Sequence, residues 1–259
     1  MSRIDDNAST LRISVITVCF NSARTIGNTL RSVAEQTLPS VQHVVIDGNS
    51  TDGTQGIIHE FPGKVLQWQS EPDRGIYDAM NKGVALVRGD IVCFLNADDH
   101  YASANVLQQV SMLFEDETLD AVFGDVAFFH PGQPGHIVRR YRSSRFAPNM
   151  IGWGWMPAHP ALFVRRRLFE QKGNFKIDYR IAGDFEWIAR VFHASSVRYL
   201  YLPEVLVHMQ TGGISTQGWR ATLRLNQEVM RACRENGIPT NWFKLLSKYP
   251  AKLLEFIRA

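Results

Sequence analysis

Apolar residues gather in short runs along this chain, and several of the runs stop at an acid. Ile13-Ser14-Val15-Ile16-Thr17-Val18-Cys19-Phe20 is the first, and Asn21-Ser22 behind it carry turn and helix-cap chemistry, so a strand and then a helix are predicted. Ile26, Leu30 and Val33 recur at helical spacing until Pro39 stops the pattern. Residues 41–46 predict a second strand, ending at Asp47 and a loop of glycines, caps and carboxylates that runs to Thr54. A weaker strand over 65–69 leads to the acidic turn Glu71-Pro72-Asp73-Arg74-Gly75, and residues 76–87 return to a helical pattern. The run 90–95 is apolar on both faces, as a buried central strand is, and it delivers Asn96-Ala97-Asp98-Asp99 at its end.

Strands and helices that alternate in this way predict an α/β fold with a mostly parallel sheet flanked by helices. Ligands of such sheets sit outside the carboxyl ends of the strands, where three successive acidic ends fall here. Asp98 and Asp99 are either oxygen ligands for a hard divalent cation or caps of a helix starting near Ala102.

The second half is less regular. Strands are expected over 121–123, with a continuation to Phe129, over 161–164, and over 197–202, where Pro203 ends the run. Helices are expected over 185–192, with Asp184 at the start as site residue or N-cap, and over 219–234. Between them lie a basic cluster, Arg139, Arg140, Arg142 and Arg145, and an irregular stretch, 146–160, whose tryptophans offer flat faces to a sugar ring. His159 lies in that stretch, as an acceptor contact or a turn residue. Arg165-Arg166-Arg167 read as a solvated helix start.

Composition narrows the choices. With 259 residues, 45% of them hydrophobic, the chain can bury a sizeable core. The net charge of +3 is too small to indicate a nucleic-acid partner. It also belongs to the tail, because Lys244, Lys248, Lys252 and Arg258 against Glu255 account for all of it. Residues 241–259 interleave those cations with aromatic and aliphatic side chains, which suits either packing on the core or an anchor on an anionic membrane surface. Cys19, Cys93 and Cys233 read as reduced core residues of a cytoplasmic protein. No run reaches the roughly 18 apolar residues of a membrane span, and the start lacks the apolar core of a signal peptide. The phosphate loops of Rossmann dehydrogenases and P-loop enzymes, the Gly-x-Ser-x-Gly elbow and Cys-x-x-Cys pairs are all missing.

Four motifs in register remain: residues 16–21 (Ile-Thr-Val-Cys-Phe-Asn), 45–54 (Val-Ile-Asp-Gly-Asn-Ser-Thr-Asp-Gly-Thr), 73–83 (Asp-Arg-Gly-Ile-Tyr-Asp-Ala-Met-Asn-Lys-Gly) and 94–99 (Phe-Leu-Asn-Ala-Asp-Asp). In order and spacing they resemble the family 2 glycosyltransferases of bacterial polysaccharide biosynthesis. The resemblance implies a GT-A fold, with a flexible lead over 1–10, a catalytic domain over 11–216 and a helical extension over 217–259. Within that domain it implies a nucleotide-sugar half over 11–125 and an acceptor half over 126–216.

It further implies an inverting, hexosyltransferase-like enzyme that uses Mn²⁺ or Mg²⁺ and a nucleotide-sugar donor, UDP-sugars being favoured, with a saccharide or lipid-linked acceptor. The expected location is the cytoplasm, peripheral on the inner face of the membrane. Residue by residue, it places Thr17, Asn21, Asp47, Asp73, Arg74, Asn81, Asn96 and Asp98 on the donor, Asp98 and Asp99 on the metal with His208 as a weaker ligand, and Asp184 as general base. The chain departs from the pattern at Asn96 and at Gly48, where an acid is common, and at Gly183, where relatives often have Glu. A nucleotide-sugar-binding protein weakened in catalysis and a sugar nucleotidylyltransferase are the alternative readings.

Overall fold

The computed structural model describes residues 11–63, 67–133, 135–193, 196–212 and 218–248. Residues 1–10, expected as a flexible lead, and 249–259 of the basic tail lie outside the described residues. The first half alternates as its pattern requires: β1 (Ile13–Cys19), α1 (Ile26–Ala34), β2 (Val41–Asp47), α2 (Thr54–Glu60), β3 (Gln67–Ser70), α3 (Ile76–Leu86) and β4 (Ile91–Phe94). Every residue of β1 and β4 is buried, which is why neither shows an apolar-polar alternation. Parallel pairing of β2 and β4 with β1, and of β3 with β2, makes these four strands end together, with Asp47 opposite both Cys19 and Ser70.

Beyond β4 come β5 (His100–Tyr101), α4 (Val106–Leu113), β6 (Ala121–Phe129), β7 (Ile137–Tyr141), β8 (Leu162–Arg165), α5 (Arg167–Lys172), α6 (Gly183–Phe192), β9 (Tyr199–Gln210), α7 (Gly218–Glu235) and α8 (Trp242–Leu246). The sheet runs β3-β2-β1-β4-β8-β6-β9-β5, with β7 also on β6. The expected α/β sheet flanked by helices is therefore present, with β8 antiparallel to both its neighbours.

Three expectations need correction. No helix starts near Ala102, because β5 intervenes and α4 begins at Val106; Asp98 and Asp99 are not its caps. Pro203 does not end its strand. Register shifts from Phe123↔Tyr201 to Asp125↔Val205, so the extra residues around Pro203 bulge out and pairing resumes to Gln210. The basic cluster is also dispersed: Arg139 and Arg140 belong to β7, where Arg139 lies over the Phe128 ring and Arg140 pairs with the buried Asp125 at 2.7 Å. One apolar core reaches from Ile16 through Trp187 to Val229, Ala232, Cys233 and Leu245, so α7 and α8 pack into the same interior as the sheet. Cys19, Cys93 and Cys233 are buried free thiols.

Candidate active site at the carboxyl ends of the strands

A cleft of about 1170 Å³ opens where β1 and β4 end, and Asn21, Asp52, Asp73, Asn96, Asp98, Asp99, His159 and Asp184 all line it. The turn behind β4 is fixed from below: Thr29 Oγ1 donates to the Asp99 carbonyl at 2.8 Å, and Asp99 N donates to the Asn96 carbonyl at 3.1 Å. Asn96 Nδ2 donates to Asp99 Oδ2 at 3.2 Å and Gln210 N to Asp99 Oδ1 at 3.3 Å. Asn96 Oδ1 is buried without a hydrogen-bond partner. Burial lifts the Asp98 carboxyl above the usual range. It lifts Asp99 well above that range, with the charge of Asp98 adding to the effect.

Two desolvated carboxylates and an orphaned amide oxygen are hard donors short of positive charge, and they fit a divalent cation. Among the described residues no group of three or more His, Cys, Asp or Glu side chains forms a ligand set, so Asn96 would supply what a third acid does elsewhere. His208 is not part of the cleft lining; its Nδ1 lies 3.3 Å from Nε2 of His100 across β5 and β9.

On the donor side, the loop after β2 is braced against the end of β1. Asn21 takes a left-handed φ of 49°, its Oδ1 accepts from Thr51 N at 3.0 Å, and its N–H donates to Ser50 Oγ at 2.7 Å. Asp52 faces the cleft, accepting from Ala23 N at 3.0 Å and Thr54 Oγ1 at 2.5 Å. Asp47 lies beneath this loop, fully buried, and accepts from Ser50 N at 2.9 Å and Ser70 Oγ at 2.7 Å. Gly48 has a steric reason: a Cβ there would come within 2.5 Å of Asp73 Oδ2, so the missing side chain lets Asp73 approach.

The remaining donor candidates lie off the cleft lining. Thr17 is buried against His43, Asn81 holds the backbone N–H and carbonyl of Phe175, and Arg74 points outward to pair with Asp78 at 3.1 Å.

Asp184 stands in the first turn of α6, whose N-cap is Ala182, so it is not the cap residue. The Tyr77 hydroxyl donates to the Ile181 carbonyl at 2.7 Å and lies 3.2 Å from Asp184 Oδ1. Gly183 is dictated by that ring, because a Cβ would meet Tyr77 carbons at 2.7 Å. From the other side Glu228 of α7 accepts from the backbone N–H groups of Arg180, Ile181 and Ala182, at 3.2, 2.8 and 2.9 Å. Tyr77 and Glu228 are the supports that sequence reasoning missed. Tyr77 was visible as an aromatic opening an acid-flanked helix, while Glu228 carries no local signal. The tryptophans of 146–160 offer the cleft no flat face: Arg145 covers Trp155 at 5.1 Å and Lys244 covers Trp153 at 5.5 Å, while Gly154 and Met156 to Pro160 form the lining.

Comparison with known proteins identifies the fold and the family. The PGL/p-HBAD biosynthesis glycosyltransferase of Mycobacterium bovis is 34% identical over 212 residues, covering 78% of each chain. An uncharacterized glycosyltransferase of Mycobacterium tuberculosis is 30% identical over 194 residues, covering 69% of this chain and 68% of its own. Among solved structures, Staphylococcus aureus TarS 1-349 in complex with UDP-GlcNAc superposes with a TM-score of 0.71 at 18% identity, over 87% of this chain and 66% of that one. The mannosyltransferase PcManGT from Pyrobaculum calidifontis, in complex with GDP-Man and Mn²⁺, gives 0.64 at 21% identity, over 88% of this chain and 64% of that one. These likenesses establish the GT-A fold. The profile of glycosyl transferase family 2 matches residues 14–192, which contain the strand ends, the acidic turn and Asp184, and the chain belongs to that family.

Proposed function

We propose that the protein is an inverting hexosyltransferase that moves a sugar from a nucleotide-sugar donor to a hydroxyl of a saccharide or lipid-linked acceptor. The observation that carries this reading is that Asp184 and the Asn96–Asp99 turn open on one cleft. Donor chemistry is supported by the complexes of the structural neighbours, TarS with UDP-GlcNAc and PcManGT with GDP-Man, and a UDP-sugar is the donor proposed.

In the reaction the bond between the anomeric carbon and the diphosphate breaks as an acceptor hydroxyl attacks from the opposite face. Asp184 takes the hydroxyl proton, and a single displacement inverts the anomeric configuration. Asp98, Asp99 and Asn96 Oδ1 would hold Mn²⁺ or Mg²⁺, which when bound offsets the charge developing on the departing nucleoside diphosphate. Asp52 and Asp73 shape the nucleotide end, with Tyr77 and Glu228 keeping the loop before Asp184 in place.

No helix among the described residues is long and apolar enough to cross a membrane. A peripheral seat on an anionic inner membrane face is the role proposed for residues 241–259; of the described residues 241–248, Trp242 and Phe243 are exposed, whereas Leu245 and Lys248 are buried against the core. The test of function is a thermal-shift screen of UDP-, GDP- and dTDP-sugars with and without Mn²⁺, followed by product analysis. Asp184→Asn should keep nucleotide binding and lose transfer; wild-type turnover by that variant would remove Asp184 from the chemistry.

A further inference from the structure

One more polar group is aimed into the cleft and has no assigned work. His159 opens a short 3-10 turn ahead of β8 and is 8% exposed. Its imidazole stacks on Phe94 with centroids 5.1 Å apart and planes 26° from parallel, and it meets the edge of Phe175 at 5.9 Å. Phe175 packs in turn on Tyr77 at 5.8 Å, the residue that supports the Asp184 loop. Among the described residues no protein hydrogen bond reaches either ring nitrogen of His159, although the ring lines the cleft. Phe94 is the last residue of β4, just before the Asn96–Asp99 turn, and the charge of Asp184 acts on the imidazole.

The ring therefore lines the same cleft as the acids that face the leaving group and the proposed base, and the reacting sugar has to lie in that cleft. Burial holds the imidazole below its ordinary basicity, with the Asp184 charge only partly opposing that effect. A neutral imidazole offers one N–H donor and one lone pair, a set matched by sugar hydroxyls.

We infer that His159 hydrogen-bonds a hydroxyl of the sugar being transferred and so reads the sugar of the donor, independently of its nucleotide. This rests on the proposed transferase reading, and one titration series separates the two. Calorimetry with Mn²⁺ compares UDP-GlcNAc, UDP-glucose and GDP-mannose with UDP and GDP, in the wild type and in His159→Phe, which keeps the ring stack on Phe94. The expected result is a sugar nucleotide bound roughly tenfold more weakly by the variant, with the bare diphosphate within about twofold of wild type. Equal loss for both ligands, or no loss for either, overturns the assignment of His159. Failure of wild-type protein to bind any of the five overturns the proposed UDP- or GDP-sugar donor, and this inference with it.

Should His159→Phe not fold, the wild-type imidazole answers the question. Its ¹⁵N resonances should move with the sugar nucleotide and stay in place with the diphosphate, and identical shifts with both overturn the inference.

Discussion

Thr17 Oγ1 and His43 Nε2 lie 2.9 Å apart on the adjacent strands β1 and β2, both side chains buried in the interior of the sheet. This pairing accounts for Thr17 without a nucleotide, and it has a consequence for acid stability. Burial lowers His43 from 6.5 to about 3, so the folded protein keeps it neutral while the unfolded chain takes up a proton near pH 6.5. The unfolded state binds more protons across that window. The contribution is therefore full above pH 6.5 and is lost progressively as pH falls toward 3. Urea unfolding of wild type and His43→Gln at pH 7 and pH 5 should show the wild type losing about 2 kcal/mol more than the variant between the two; parallel losses would contradict it.

The Asn96–Asp99 hydrogen bond leads to a prediction about the cation. Asn96→Asp exchanges the amide donor at 3.2 Å for a third negative charge beside two carboxyls already lifted by burial. Without a divalent ion the variant should melt several degrees lower, a loss of about 1–2 kcal/mol. Saturating Mn²⁺ should recover that loss and bind roughly tenfold more tightly, because the orphaned oxygen becomes a charged ligand. Melting curves with and without Mn²⁺, together with a direct Mn²⁺ titration by electron paramagnetic resonance, check both parts. An unchanged Mn²⁺ affinity would separate Asn96 from the ion.

Tyr77→Phe removes the hydroxyl that donates to the Ile181 carbonyl and touches Asp184, while the ring still fills the space that Gly183 leaves. A cost of about 1 kcal/mol in stability is expected from the carbonyl left unserved. Once the donor is identified, nucleotide release should show kcat down roughly tenfold, from the looser placement of Asp184, with KM for the donor near wild type. A rise in donor KM at constant kcat would place Tyr77 in ground-state binding instead.

The legible part of the fold was the part whose pattern has one cause. β1, β2 and β4 are buried on both faces, so their apolar runs mark strands, and the acids at the ends of β2 and β4 mark the site with them. β7 escaped because its exposed and half-buried positions carry Arg139 and Arg140, which read as a charge cluster until their pairing with β6 is known. β5 is two residues long and pairs with β9, and β9 passes Pro203 by a bulge at which Arg140 reaches the Pro203 carbonyl at 3.1 Å. In the site, Asp73, Asp98 and Asp99 are legible at strand ends and Asp184 through the family resemblance, and all four line the cleft together. Asn81 shares their motif, yet its amide is spent on the Phe175 backbone, a contact between residues far apart in sequence that no local spacing reveals.

Glu228 gives the family boundary a physical meaning. The three amides it receives belong to residues 180–182, inside the span that matches the family profile, whereas Glu228 itself lies beyond residue 192. The shared segment is therefore not a self-sufficient module: it carries the acid that would move the proton, but borrows the brace that holds that acid's loop. A chimera made by joining residues 14–192 to a foreign C-terminus would inherit Asp184 on an unsecured hinge. A relative that diverges after α6 has to satisfy those three N–H groups by some other means, so position 228, which is off the cleft lining, is a place where the same chemistry can be tightened or relaxed from outside the family span.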